Sequence, residues 1–137
     1  MKVAAVQLTS TGNITENQEL ALAKIREAAG NGARLIVLPE ATAQNFRSGR
    51  LDEQAQTLEG PFATAIQALA EELEVTVVAG MFCPADTVER EGKTINRVTN
   101  TALIAGPGVL GGYDKIHTYD AFDYRESDTV LSLIHIS

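Results

Sequence analysis

Residues 34–42 read RLIVLPEAT, an apolar run that ends in a proline and a glutamate. A continuous apolar run of this length predicts a strand over Ala33–Leu38 that is covered on both faces. In open α/β sheets the ligand crevice lies outside the carboxyl ends of the strands, and Glu40 falls at such an end. A carboxylate close to the apolar interior can take and give protons near neutrality. Position alone leaves two interpretations open, a functional carboxylate and a surface or structurally paired glutamate.

The segments on either side of this strand show both strand and helix patterns. Lys2–Leu8 is a short β-rich run followed by turn-forming residues. Apolar residues in Thr15–Ala29 recur with the period of a helix, and Thr15 with Gln18 forms a capping-box pattern at its start. Pro61 opens a second helical pattern. The chain therefore begins as strand, helix, strand, helix.

The second half of the sequence is rich in strand patterns. Val75–Phe82 predicts another buried strand, and the polar residues 83–94 predict a loop. Ile95–Ala105 and Val109–Ile116 predict two strands joined by a tight Gly-Pro-Gly turn. The order β-α-β-α-β followed by a hairpin predicts an α/β fold whose early strands are parallel.

Composition limits the classes of function. The chain has 137 residues, 45% of them hydrophobic and 21% charged, which fits one soluble domain without a membrane span. A net charge of −7 without Lys/Arg clusters argues against nucleic acid and anionic membrane as partners. The single cysteine cannot form an internal disulfide, so a cytoplasmic location is expected.

Three glycines match a dinucleotide-binding spacing, Gly106-x-Gly108-x-x-Gly111. That motif requires a helix that starts at the glycines, so that its N–H groups meet the pyrophosphate. The residues that follow, GYDKIHTYD, have no helical period, and Pro107 lies inside the turn. We interpret the segment as a hairpin turn and predict no nucleotide cofactor.

The histidines and the cysteine are weaker candidates. His117 and His135 have no second ligand at metal-binding spacing, so we predict no metal site. Cys83 follows an apolar strand and has no positive neighbour in sequence that would favour the thiolate, so we interpret it as a structural thiol. Lys115, within Gly-Tyr-Asp-Lys-Ile-His, is a lone cation after the last strand, and alone it is equally typical of a solvated lysine.

Taken together, these segments resemble the nitrilase, or carbon–nitrogen hydrolase, superfamily from Lys2 to about Val130. The resemblance rests on the first strand and helix, on ARLIVLPE, and on RVTNTALIAGPGVLGGYDKIHTYDAF. It implies an α/β fold that is the N-terminal half of a four-layer α-β-β-α sandwich. It also implies hydrolysis of non-peptide C–N bonds in small-molecule amides, nitriles or carbamoyl compounds, with a Glu-Lys-Cys triad and no cofactor or metal. Homo-oligomerisation of the full-length protein stays open.

The resemblance assigns roles to three residues. Glu40 matches the general base, Lys115 the cation that stabilises the tetrahedral oxyanion, and Glu126 a second glutamate that orients substrate and lysine. The family's cysteine lies downstream of the lysine, where this sequence has none, and Cys83 precedes Lys115. We therefore expect residues 1–130 to be a partial hydrolase domain, inactive alone and poorly soluble. Residues 131–137 are expected to be a non-native tail from a truncated or misassembled reading frame.

Two other classes remain open at this point. One is a non-catalytic binding or regulatory module that keeps the pocket without the nucleophile. The other is a generic α/β nucleotide-binding domain, which the missing helix after Gly111 disfavours.

Overall fold

The computed structural model describes residues 1–115 and two short strands at 120–121 and 124–125. The elements are β1 (Lys2–Ala5), α1 (Ile14–Gly30), β2 (Ala33–Val37), α2 (Pro61–Leu73), β3 (Thr76–Arg90), β4 (Lys93–Gly106), β5 (Val109–Asp114), β6 (Asp120–Ala121) and β7 (Tyr124–Arg125). His117, Glu126 and the tail 131–137, which includes His135, lie outside the described residues. Within the described residues, no helix is both long and apolar enough to cross a membrane.

Five strands form one sheet in the order β1-β2-β3-β4-β5, and β6 pairs with β7 separately. The pairs β1–β2 and β2–β3 are parallel, whereas β3–β4 and β4–β5 are antiparallel hairpins. The predicted α/β class with parallel early strands is confirmed. The parallel strands direct their carboxyl ends to the same edge of the sheet.

The first helix lies where its period predicts, but its cap differs. Asn13 is the N-cap, and its Oδ1 accepts a hydrogen bond of 3.0 Å from the backbone N–H of Glu16. The predicted capping box of Thr15 with Gln18 is wrong, because Thr15 already lies within the helix. Asparagine is as good an N-cap as serine and better than threonine, so the earlier residue begins the helix.

Both helices pack on one face of the sheet and on each other. Phe62 and Ile66 of α2 meet Ile25 of α1, Ile36 of β2 and Leu103 of β4, all with no exposed surface. Consecutive right-handed β-α-β crossovers in one direction place their helices on the same side, which explains the one-sided cover.

The other face, which we call the open face, is less covered. Val3, Val37 and Ile104 are 54%, 36% and 37% exposed. The predicted cover of β2 on both faces is therefore wrong for the described part of this chain. The apolar run of β2 is typical of a strand that is buried on both faces, yet here Val37 on its open face is exposed to solvent.

Residues 83–94 form a ribbon, and the predicted loop is wrong. β3 continues to Arg90 and pairs with β4 through a turn at Glu91 and Gly92, whose φ values of 52° and 75° fit a type I′ turn. Asp86 and Arg97 form a two-pronged ion pair across the ribbon at 2.7 and 2.6 Å. Cross-strand polar pairs take the place of the apolar alternation that would have indicated strands.

The glycine-rich segment is a turn, as predicted. Gly106 pairs with Val109, and Gly108 adopts a φ of 70° between them. Gly111 lies inside β5 rather than at the start of a helix. The helix that a dinucleotide site requires does not begin at these glycines.

Candidate active site

The chain leaves β2 in a short loop that crosses β3 at Gly80. The backbone N–H of Gly80 donates to the Pro39 carbonyl at 3.1 Å, and the Gly80 carbonyl accepts from the Ala43 N–H at 3.1 Å. Ala41 adopts a left-handed φ of 59°, which turns the chain between these two contacts. Glu40 lies between them, so the backbone of β3 fixes its position.

Glycine is the only residue type that fits at position 80 without a displacement of the backbone. A Cβ at position 80 would lie 2.5 Å from the backbone nitrogen of Ala41, 2.7 Å from Cα of Glu40 and 2.8 Å from the Pro39 carbonyl oxygen. All three neighbours are backbone atoms that no side-chain rotation can move. The glycine therefore permits the close approach that carries Glu40 over the strand.

The fold brings Glu40 and Lys115 together across 75 residues of sequence. Nζ of Lys115 lies 3.4 Å from Oε1 of Glu40. Nδ2 of Asn100 donates to the same Oε1 at 2.5 Å, and the Asn100 carbonyl accepts from the backbone N–H of Lys115 at 2.8 Å. Asn100 is buried, with 4% of its surface exposed. The three residues form one carboxylate–amide–ammonium cluster.

This cluster lies at one end of a cavity of about 580 Å³ on the open face of the sheet. The lining residues come from the segment after β2, from β3, β4 and β5, and from the residue after β5: Leu38, Glu40, Val78, Ala79, Gly80, Asn100, Thr101, Ala102, Tyr113 and Lys115. A mostly apolar cavity with a few convergent polar groups is the usual form of a small-molecule site. The side chains of Glu40 and Lys115 are 55% and 33% exposed, so Glu40 is less enclosed than its sequence position suggested.

Cys83 lies on the opposite face of the sheet from this cluster. Cys83 pairs with Thr99 across β3 and β4, and both side chains point to the helix side, where Cys83 packs against the core. Successive side chains of a strand point to opposite faces, so Asn100, the residue after Thr99, faces the cavity. Burial raises the pKa of the Cys83 thiol, and the nearby Asp114 carboxylate raises it further. The thiol therefore favours its protonated form, as the structural interpretation predicted.

Glu126, the third predicted site residue, lies outside the described residues. Two residues that shape the site were not singled out from the sequence as functional, Gly80 and Asn100. Asn100 directly precedes the apolar run TALIA, and its polar side chain at that position is a sequence signal, because a buried amide needs a hydrogen-bond partner. No sequence signal indicates Gly80, because its role depends on which loop crosses it.

Residues 2–133 match the carbon-nitrogen hydrolase family, so the chain belongs to that family. This agrees with the resemblance that rested on ARLIVLPE and on the segment containing Tyr113-x-Lys115-x-His117. The match spans nearly the whole sequence. It includes the parallel strands and hairpins of the sheet and the residues that line the cavity.

Two relatives illustrate the likeness in sequence. The chain is 40% identical over 135 residues to a hydrolase of Mycobacterium tuberculosis, covering 95% of this chain and 45% of that protein. It is 36% identical over 135 residues to deaminated glutathione amidase of Synechocystis, covering 94% of this chain and 48% of that protein. The chain thus spans about half the length of these curated relatives.

Solved structures show the same fold. A carbon–nitrogen hydrolase superfamily protein of Xanthomonas campestris superposes with a TM-score of 0.63 at 26% identity, covering 81% of this chain and 38% of that one. An amidase of Nesterenkonia superposes with a TM-score of 0.72 at 18% identity, covering 96% of this chain and 48% of that one. The α/β sheet with its two helices is therefore a nitrilase-superfamily fold.

Proposed function

We propose that this chain supplies the general base and the oxyanion-stabilising cation of a hydrolase that acts on non-peptide C–N bonds. The observation that carries the proposal is the 3.4 Å approach of Lys115 to Glu40 at the edge of a small-molecule cavity. A carboxylate and an ammonium at one cavity provide a proton acceptor and a fixed positive donor. Glu126 is proposed to orient substrate and lysine, as the family resemblance implies.

The reaction on an amide proceeds in two halves. Glu40 takes the proton of a thiol as its sulfur bonds to the carbonyl carbon, and Lys115 stabilises the oxyanion that forms. The C–N bond then breaks, the protonated Glu40 gives its proton to the departing nitrogen, and a thioester remains. Water attacks the thioester with Glu40 as the base, the C–S bond breaks, and the sulfur regains a proton. A positioned donor to the oxyanion is worth about 3–4 kcal/mol in the transition state.

The substrate is proposed to be a small amide, nitrile or carbamoyl compound. The names of the relatives support this range, because they include an amidase and, at 37% identity over 134 residues, a nitrilase of Pyrococcus abyssi. The cavity of about 580 Å³ is in the range of small-molecule sites. No cofactor takes part in this scheme.

The nucleophilic thiol is proposed to come from outside residues 1–137. Cys83 is the only cysteine of the sequence, and it lies on the helix side of the sheet, with its pKa raised by burial. Residues 1–130 would then be a partial catalytic domain and 131–137 a non-native tail. The chain alone is expected to hydrolyse no amide or nitrile.

A chimera tests the proposal. Residues 1–130 are joined to the part of the Mycobacterium tuberculosis hydrolase that follows its matched region, and release of ammonia is measured with a panel of amides, nitriles and carbamoyl compounds. We expect the chimera to be active and residues 1–137 alone to be inactive. Glu40→Gln and Lys115→Met each lower kcat by about a hundredfold or more, because each removes one catalytic group.

Cys83→Ala is the matched control, because it removes a thiol from the other face of the same sheet. This variant is expected to keep the activity of the parent chimera. Activity that survives Glu40→Gln, or that disappears with Cys83→Ala in a folded protein, would contradict the assignment.

A further inference from the structure

We infer that Asn100 is a positioning residue, which selects Oε2 of Glu40 as the oxygen that accepts the thiol proton. This inference rests on the proposed function. Its starting observation is the contact of 2.5 Å between the Asn100 side-chain amide and Oε1 of Glu40. A carboxylate only accepts hydrogen bonds, so the amide must present its NH₂ group to it.

The two oxygens of Glu40 have different surroundings. Oε1 receives the Asn100 amide at 2.5 Å and the Lys115 ammonium at 3.4 Å. From the residues that the structure describes, no hydrogen bond reaches Oε2. An oxygen that already accepts from an amide and an ammonium is the less basic of the pair, because both donors stabilise negative charge on it. The incoming proton therefore goes to Oε2.

Asn100 also connects the base to the cation through its own backbone. Its carbonyl accepts from the Lys115 N–H at 2.8 Å, while its side chain holds Glu40, 60 residues earlier in the sequence. β4 is hydrogen-bonded on both sides, to β3 and to β5. The amide thus projects from a strand in the interior of the sheet, and 96% of the residue is buried. A strand that is hydrogen-bonded on both sides gives the amide a rigid support beside the half-exposed Glu40 side chain.

Kinetics of the chimera give the first test. Asn100→Ala leaves the carbonyl contact to Lys115 in place and removes the amide, so we expect kcat to fall by about tenfold to a hundredfold while KM changes little. Asn100→Asp places a second carboxylate against Glu40 and is expected to lower kcat further. Asn96→Ala is the control, because Asn96 lies on the same strand with its side chain bonded to Thr87 and Asp52 and away from the cavity.

A readout without turnover gives the second test. The Asn100 side-chain amide protons are followed by NMR as pH is varied, in the parent chimera and in Glu40→Gln. We expect their chemical shift to follow a carboxyl titration in the parent and to stop moving in Glu40→Gln. This measurement needs no Asn100 variant, so loss of folding in Asn100→Ala cannot obscure it.

The outcomes separate the two proposals. An inactive chimera whose amide shift still follows the Glu40 titration would remove the proposed function and leave the contact standing. An active chimera in which Asn100→Ala matches Asn96→Ala in kcat would overturn the positioning role. If the Asn100 amide shift depends on pH in the same way in the parent and in Glu40→Gln, the positioning role of Asn100 is overturned, whether or not the chimera is active.

Discussion

At the scale of single residues, the site depends on neighbours that carry no reactive group. The carboxylate of Glu40 lies at the end of β2 because Gly80 lets the loop cross β3 and Ala41 turns it with a left-handed φ of 59°. Ser10 and Thr42 hold the same loop, through hydrogen bonds to the carbonyls of Ala41 and Pro39 at 2.9 and 2.6 Å. The loop that carries Glu40 is thus held through hydrogen bonds to its backbone.

Gly80→Ala should therefore destabilise the protein. The added Cβ meets three backbone atoms within 2.8 Å, so the loop or the strand must move. We expect the free energy of unfolding to fall by about 1–3 kcal/mol, measured by urea denaturation. Gly111→Ala is the matched control on a neighbouring hairpin strand, because its Cβ would meet nothing within 4 Å. Equal losses in the two variants would show that the crossing is not tight.

Cys83 should react slowly with alkylating reagents. Burial, aided by Asp114, raises the pKa of its thiol, so the thiolate fraction at a given pH is smaller than that of an exposed cysteine. We expect the rate of iodoacetamide modification to rise with pH around a midpoint above that of the same protein unfolded in guanidinium chloride. The midpoint is independent of steric access, which affects only the plateau rate. A midpoint at or below that of the unfolded protein would contradict the assignment.

At the scale of elements, the sequence predicted well where apolar period and packing agree. Both helices and the turn at Gly108 lie where their patterns indicate. The distal part of the β3–β4 ribbon was missed because its residues are mostly polar and show no apolar alternation. Its strands are recognised only from cross-strand pairs such as Asp86 with Arg97, which lie eleven residues apart in sequence. The N-cap of α1 was missed by two residues, because asparagine and threonine compete as caps and the local geometry decides.

The start of α1 offers a direct comparison. Asn13→Ala removes the hydrogen bond to the Glu16 N–H, so we expect the free energy of unfolding to fall by about 1 kcal/mol. Thr15→Ala changes an exposed residue inside the helix and should alter it by less than about 0.5 kcal/mol. Thermal and urea unfolding of both variants measure the difference. A larger loss for Thr15→Ala would restore the capping box that the sequence pattern suggested.

At the scale of the whole molecule, the two faces of the sheet differ. One is covered by α1 and α2, whereas the open face carries the cavity and exposes Val3, Val37 and Ile104. The sequence indicated cover on both sides, and the chain spans about half the length of its relatives. Exposed apolar sheet surface promotes association, because burying it removes contact with water.

We therefore expect residues 1–137 expressed alone to self-associate. Val37→Thr with Ile104→Thr makes the open face more polar without touching the helix-side core, so this double variant should raise the soluble fraction and the share of monomer. Light scattering with size-exclusion chromatography measures both. Glu72→Gln on the exposed surface of α2 is the control for a change elsewhere. A monomeric parent chain would contradict the expectation.

The site itself was predictable only in part. Glu40 stood out by its place after an apolar run, whereas its pairing with Lys115 followed from family resemblance, because no local pattern connects residues 75 positions apart. The contact of Asn100 with both partners needed the register of β4 against β3 and β5. Register over such separations is set by the whole fold, and a single sequence does not display it.

The alternation of side chains along β4 also has a practical use for spectroscopists and enzyme engineers. Ala102 shares the cavity face with Asn100, while Cys83 belongs to the helix side. A fluorophore or spin label on Cys83 would report on the sealed interior, and the same reagent on Ala102→Cys, in a Cys83→Ala background, would report on molecules that enter the cavity.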